Sequence, residues 1–423
     1  MTFTEDFLFH EIKRTHPDYV VYVPNCDDTH DDHGNEHFHV FRTKDGNLAA
    51  LWTMSAQEAT HTQRPVFSRS FNGGLTWTEP KCILHDPIDP ETGKNMGSWA
   101  AAAVSKSGRI YVYYAKHLGD GTDHECGVMV FTYSDDCGET WSKEVVRKEK
   151  RYPGYDLDGE DAAISLFPWQ NGYRLSNGSV LMLVSHNWKH PNANPEPKKW
   201  WPEHACGCEI LRFDNIDDDP EPENLVISRF AANEKSLNAP FRTDPSRRCG
   251  EEPALAELPD GRLFCVFRTC EGHVWYSVSE DHGETWRECE MLRYRDNGEG
   301  VEHPLSPCPM FRISDNQYVL FTHNNDGFFG QTDRPKTDGN WRNPLFVLKG
   351  EFRPDAHQPI WFSQPVEFMN NGDVALTRKD LAMYASLTVE NGTPVFWYPD
   401  RKFFLLGKRL EKAFLDTLSV PMM

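Results

Sequence analysis

The chain contains no apolar run approaching 18 residues, so a membrane-spanning helix is not expected and no membrane partner is implied. Positive charge is scarce. With 44 Lys and Arg against 64 Asp and Glu, the net charge is −20, and no Lys/Arg-rich run exceeds a few residues, which argues against nucleic acid as a partner. The first residues, MTFTEDFLFHEIKR, lack the basic start, apolar core and small-residue cleavage site of a secretory signal. A cytoplasmic location is therefore expected. The 11 cysteines are odd in number and scattered, a pattern of free thiols in a reducing compartment rather than a disulfide framework. The tightest cysteine group, His204, Cys206 and Cys208, has no second ligand pair, so no zinc site is expected there, and no cofactor is expected. Linker-like stretches are also missing, and helical periodicity is confined to a short segment near 408–418. One domain over 1–423 is the expectation, with the oligomeric state left open.

What the chain does contain is repetition. SFNGGLTW (70–77), SDDCGETW (134–141) and SEDHGETW (279–286) share the pattern Ser-x-Asp/Asn-x-Gly-x-Thr-Trp at identical spacing. Each describes a tight corner: the Asp or Asn accepts from backbone N–H groups, the Gly tolerates positive φ, and the Trp buries a ring beside the next strand. These residues fold the chain rather than react. A second series consists of two-residue turns between strand-like runs, at Asp45-Gly46, Ser107-Gly108, Asn177-Gly178, Asp260-Gly261, Asp315-Asn316 and Asn371-Gly372. They lie 55 to 83 residues apart, the length of one four-stranded sheet with its loops. Six such sheets predict an all-β, six-bladed β-propeller. The run YVVYVP at 19–24 precedes the first blade and is expected to complete the last one, removing an open sheet edge.

These corner repeats on a six-bladed propeller, with hairpins such as EPALAELPDGRLFCVFR, resemble the sialidase (neuraminidase) superfamily with its Asp-box repeats over nearly the whole chain. The resemblance implies an active site where the inner strands begin at the propeller centre. Glu252, nine residues before Gly261, and Arg268, seven after it, resemble the family's Glu and its second carboxylate-binding Arg. The first blade departs from the family: where an Arg should grip the sugar carboxylate, counting back from Gly46 gives Glu36. Glu58 is the nearest counterpart of the acid/base Asp, with His61 and Arg64 on the same loop. Before the presumed last hairpin, Phe362 or Ser363 stands where a Tyr nucleophile is expected, and only Arg334 lies near the third Arg position. The chain therefore resembles an atypical member, with weak or absent sialidase activity expected.

Catalysis by paired carboxylates is the alternative chemistry, with Glu36, Glu58 and Glu252 as candidates. The segment 27–39 adds four histidines and five carboxylates, and strand alternation would place His37 and His39 on one face with Glu36 on the other. His37 is a candidate acid/base group, and the imidazoles and carboxylates of 27–39 together would also suit a divalent cation. Arg268, His39, Arg64, Trp99, Asp161 and Gln364 form the candidate substrate-binding set. An insertion at 187–209 offers Trp200 and Trp201 as faces for a sugar or a neighbouring subunit. The expected function is an exo-acting glycoside hydrolase removing a terminal sugar, acidic sugars included, from oligosaccharides. A His/Arg-dependent lyase or uronate-linked glycosidase and a non-catalytic glycan-binding propeller remain as alternatives.

Overall fold

The computed structural model describes residues 2–27, 29–119, 127–159, 163–190, 192–193, 205–242, 244–331, 341–372, 374, 376 and 378–422. Asp161, Trp200, Trp201, His204 and Arg334 lie outside the described residues. The architecture is a six-bladed β-propeller. Blade I orders Gly34–Arg42, Leu48–Ser55, Arg64–Ser70 and Lys81–Cys82 from inside to outside, and blade II repeats this with Gly97–Val104, Ile110–Lys116, Val128–Ser134 and Val145–Arg147. In blade III, Leu166–Pro168 and Tyr173–Arg174 share the inner position beside Val180–Asn187, Cys206–Phe213 and Ile227–Phe230. Blade IV comprises Glu251–Glu257, Leu263–Arg268, Trp275–Ser279 and Glu290–Met291. Blade V starts at Met310–Arg312 and Gln317–Thr322, then Leu345–Phe352 pairs with both Ile360–Phe362 and Val366–Met369. Blade VI runs Ser386–Glu390, Thr393–Asp400, Phe404–Arg409, and its outer strand is Tyr19–Tyr22 from the other end of the chain.

The three Asp-box corners join the third strand to the fourth in blades I, II and IV, at the outer rim. Their chemistry is local and repeated. In the third copy, Ser279 Oγ accepts from Gly283 N (2.8 Å), Asp281 accepts from Thr285 N (2.8 Å), and Trp286 Nε1 donates to Gly283 O (3.0 Å). Gly138 at the second corner has φ +92°, and a Cβ there would lie 2.0 Å from the Phe67 ring, so both conformation and space demand glycine. Between blades, apolar side chains interdigitate. Phe38, Trp52, Trp397 and Leu405 fill the seam where blade VI meets blade I, and burying each Trp contributes on the order of 4–6 kcal/mol.

Five of the expected turns join an inner strand to the second strand of its blade. The sixth does not. Blade VI turns at Asn391-Gly392, where both residues are left-handed (φ +50° and +81°), as a two-residue hairpin requires. Asn371-Gly372 instead follows the extra strand of blade V, with the Asn371 side chain bonded to Lys379 O (2.9 Å) and Asp400 (3.2 Å). Two short helices flank the propeller: Glu5–Glu11, which no sequence pattern announced, and Lys412–Leu415 within the expected 408–418 segment. Glu11 on the first is tied to Arg401 of blade VI (2.6 Å).

Candidate functional site

Three inner strands begin with the same backbone irregularity. In blade I, Glu36 pairs with Thr53 but His39 pairs with Leu51, leaving two residues opposite Trp52; blades II and IV repeat this at Trp99-Ala100 and Glu252-Pro253. The bulged residues His37, Trp99 and Glu252 all have φ +53°. Such bulges re-aim side chains. The strand alternation expected for 36–39 is thus broken at His37, which separates it from His39 and brings it to the same region as Glu36.

Tyr384 leads into the inner strand of blade VI with φ +68° and joins this group. Its ring meets His37 (centroids 4.6 Å apart) and Trp169 (4.9 Å), while His37 meets Trp99 (4.8 Å) and Trp99 meets Phe167 (5.1 Å). An aromatic row therefore runs across the starts of blades I, II, III and VI. A sequence signal for it existed: His37, Trp99, Trp169 and Glu252 each lie nine residues before the Gly of their own hairpin, and Tyr384 lies eight before Gly392. Using Asn371-Gly372 as the last turn hid Tyr384. The residues that misassignment selected belong elsewhere: Phe362 is buried in an outer strand of blade V, Ser363 accepts from Lys349 N (3.0 Å), and Gln364 is exposed there, away from the inner strands.

Charged groups occupy the other side. Arg268 Nη1 lies 2.6 Å from Glu252, and Nη2 donates to Glu251. Burial works against the Arg268 charge, but Glu252 and Glu251 more than offset it and raise its pKa. Burial pushes Glu252 up to about 7, opposed by Arg268 and reinforced by Glu251. The Glu252 backbone N–H donates to Ser185 Oγ of blade III (2.9 Å), fixing the bulge. Lys402, from the turn joining the second and third strands of blade VI, donates to Glu36 (3.0 Å), to Glu58 and to the Tyr384 hydroxyl (3.3 Å). Burial raises the Tyr384 pKa, and the Lys402 charge opposes that rise. Arg378 pairs with Glu58 and with Asp380 (2.7 Å), and Arg342 pairs with Asp380 (3.2 Å) while donating to Leu305 O (2.7 Å).

Glu252, Arg268, Glu36, His37, Trp99 and Glu58 are thus brought to one cluster, and Tyr384, Lys402, Arg342, Arg378 and Asp380 are the members sequence reasoning missed. The blade V position matching Arg268 is His323, whose pKa burial lowers to about 4. Arg342, which approaches from just before the third strand, is near enough to Glu252 to lower its pKa.

Other candidates sit apart. Burial lowers the His39 pKa to about 4, and its side chain lines a cavity of about 420 Å³ toward the hairpin end of the channel, with Asn171, Tyr173 and Arg312. Arg64 donates to the carbonyls of His30 (3.0 Å) and Asp31 (3.0 Å), so it anchors the backbone there. His61 is exposed and bonded to Glu91 O (3.1 Å). Among the described residues, no three His, Cys, Asp or Glu side chains converge as metal ligands.

A family profile described as "BNR repeat-like domain" matches residues 46–392. The chain belongs to that family. Solved structures extend the likeness to the fold of this BNR repeat-like chain. A Hadza microbial sialidase, Hz136, shares 15% identity at a TM-score of 0.60, covering 92% of this chain and 67% of that one. The intramolecular trans-sialidase from Ruminococcus gnavus shares 14% at 0.58, covering 93% and 98%. A protein of unknown function from Dyadobacter fermentans shares 13% at 0.58, covering 93% and 97%. No curated protein sequence matches this chain. It is a sialidase-like propeller of the BNR family.

Proposed function

We propose that this chain is an exo-acting glycoside hydrolase in which Tyr384 is the nucleophile. The supporting observation is the setting of its phenol: Lys402 within 3.3 Å of the oxygen, and Glu252, raised to about 7, in the same electrostatic cluster. A carboxylate with a pKa near working pH is suited to proton exchange. In this reading the phenol oxygen attacks the anomeric carbon and gives its proton to Glu252. The glycosidic C–O bond breaks, and the leaving oxygen takes its proton from water on the loop side, next to Glu58, whose side chain is 31% exposed. Water then cleaves the Tyr384–sugar bond as the proton transfers reverse. The relatives named as sialidases act on sialosides, which supports a sugar as the substrate without fixing which one.

A non-catalytic glycan binder calls for a shallow, uncharged centre. Five carboxylates and four cations at this centre, Glu36, Glu58, Glu251, Glu252 and Asp380 with Lys402, Arg268, Arg342 and Arg378, favour an enzyme. The test is trapping with 2-deoxy-2-fluoroglycosyl fluorides followed by peptide mass spectrometry. A sugar on Tyr384, and loss of at least about 10³-fold in kcat for Tyr384→Phe, is the expected result. A label on another residue, or a Phe variant as fast as the parent, would overturn the assignment.

A further inference from the structure

The cations at the centre are all matched within the chain. Lys402 faces Glu36 and Glu58, Arg268 faces Glu251 and Glu252, Arg342 faces Asp380, and Arg378 faces Glu58 and Asp380. At the place where the sialidase resemblance calls for the first clamp cation, the chain carries Glu36 and neutralises it from another blade. The manner of that neutralisation is costly in backbone terms. Arg401 and Lys402 form a two-residue turn in which both are left-handed (φ +58° and +50°), a conformation ordinarily left to Asn-Gly. Both side chains are buried: Arg401 is held by Asp400 (2.8 Å) and Glu11 (2.6 Å), and Lys402 by the two glutamates. Strain of this kind persists only where surrounding contacts over-determine it. The Lys402–Glu36 pair is therefore a built feature of the ring closure.

A carboxylate entering such a site finds no surplus of positive charge among the described groups, and it meets carboxylates that already hold the cations. Desolvating it there goes uncompensated. On the opposite side, the rings of Trp99, His37, Tyr384 and Trp169 stand against one another at angles of 36° to 61° and make that side weakly polar, which the C–H face of a pyranose favours. We propose that the terminal sugar taken by this site carries no carboxylate: a neutral pyranose, selected against sialic acid and uronic acids by the Lys402-locked Glu36. The inference rests on the hydrolase reading and narrows its substrate class.

The test compares 4-nitrophenyl glycosides of neutral hexoses and 6-deoxyhexoses with 4-nitrophenyl α-sialoside and β-glucuronide. Binding of the free neutral sugars, N-acetylneuraminic acid and glucuronic acid is measured by calorimetry on the same protein. The best neutral glycoside should exceed both acidic ones by at least about 100-fold in kcat/KM, and the free acids should not bind. Glu36→Gln removes one negative charge and should narrow that gap by about 10-fold. Preferred turnover of the sialoside or glucuronide overturns the neutral-sugar inference and leaves the hydrolase reading standing. Binding of neutral sugars alone without turnover overturns the hydrolase reading and keeps the inference. Silence of both classes in both assays overturns both, and an unchanged gap in Glu36→Gln removes Glu36 as its cause.

Discussion

Glu252 makes the folded protein pH-sensitive in a direction that can be worked out. Burial raises its pKa from the ordinary 4.5 to about 7, against the pull of Arg268. An acid raised in the folded state contributes stability that is complete below the unfolded value and is lost as pH climbs through the folded one. Between pH 5 and pH 8 the loss amounts to about 2.5 kcal/mol, taking 1.36 kcal/mol per unit of pKa difference. Glu252→Gln cannot ionise, so urea unfolding of the parent and this variant at both pH values should reveal that drift as a change in their difference. The absolute offset carries other terms, including the partner lost to Arg268, but the drift with pH does not depend on them. Parallel curves, agreeing within about 0.5 kcal/mol across the range, would refute the assignment of a buried, late-ionising carboxylate to Glu252. A drift abolished by Glu251→Gln instead would move the proton to its neighbour.

Lys402→Met should lower kcat at least about 10-fold and shift the acidic limb of the pH–rate profile upward by about half a unit or more, because Lys402 lowers the Glu252 pKa; Lys402→Arg should keep the limb near its original position. Arg268→Met strands two buried carboxylates and should cost about 3–5 kcal/mol in urea unfolding, with part recovered by adding Glu251→Gln. A loss below 1 kcal/mol in Arg268→Met, roughly that of an exposed pair, would mean the pair is solvated. Gly138→Ala should cost about 2–4 kcal/mol from its left-handed φ and the contact with Phe67, yet leave kcat/KM unchanged, as should the milder Asp281→Ala. A selective fall in kcat/KM at either corner would place the Asp boxes in the chemistry.

The Asp boxes were legible because their chemistry is local: Ser279, Asp281, Gly283 and Trp286 bond within eight residues, so spacing alone specifies the corner. Hairpins are nearly as local, and Asp45-Gly46 or Asp260-Gly261 betray themselves by composition. Asn371-Gly372 and Asn391-Gly392 are chemically alike, however, and what separates them is tertiary pairing. The first is captured by Asp400 and Lys379, the second closes a strand pair of blade VI. That ambiguity carried Tyr384 out of view while Glu252 and Arg268, set by an unambiguous turn, were found. Lys402 and Arg342 were invisible for a different reason: each reaches the centre from a turn or strand lead-in, and only ring closure brings Lys402 to Glu36, as the packing of blade V against blade VI brings Arg342 to Asp380.

The four left-handed residues that head inner strands, His37, Trp99, Glu252 and Tyr384, tie these threads together. A bulky residue at positive φ costs of order 1–3 kcal/mol; the rim corners carry the same conformation at Cys137 and His282, just before Gly138 and Gly283, so positive φ alone does not mark the site. What sets His37, Trp99 and Glu252 apart is the bulge in which each sits. Because each bulge inserts one residue between matched pairs of the ladder, it turns that side chain out of the strand's alternation while the rest of the strand keeps its core face. The same device acting in three blades from the same offset explains how residues more than 200 positions apart, His37 and Glu252, reach one centre. It also explains why a fixed offset from each hairpin, rather than a contiguous motif, marks His37, Trp99 and Glu252.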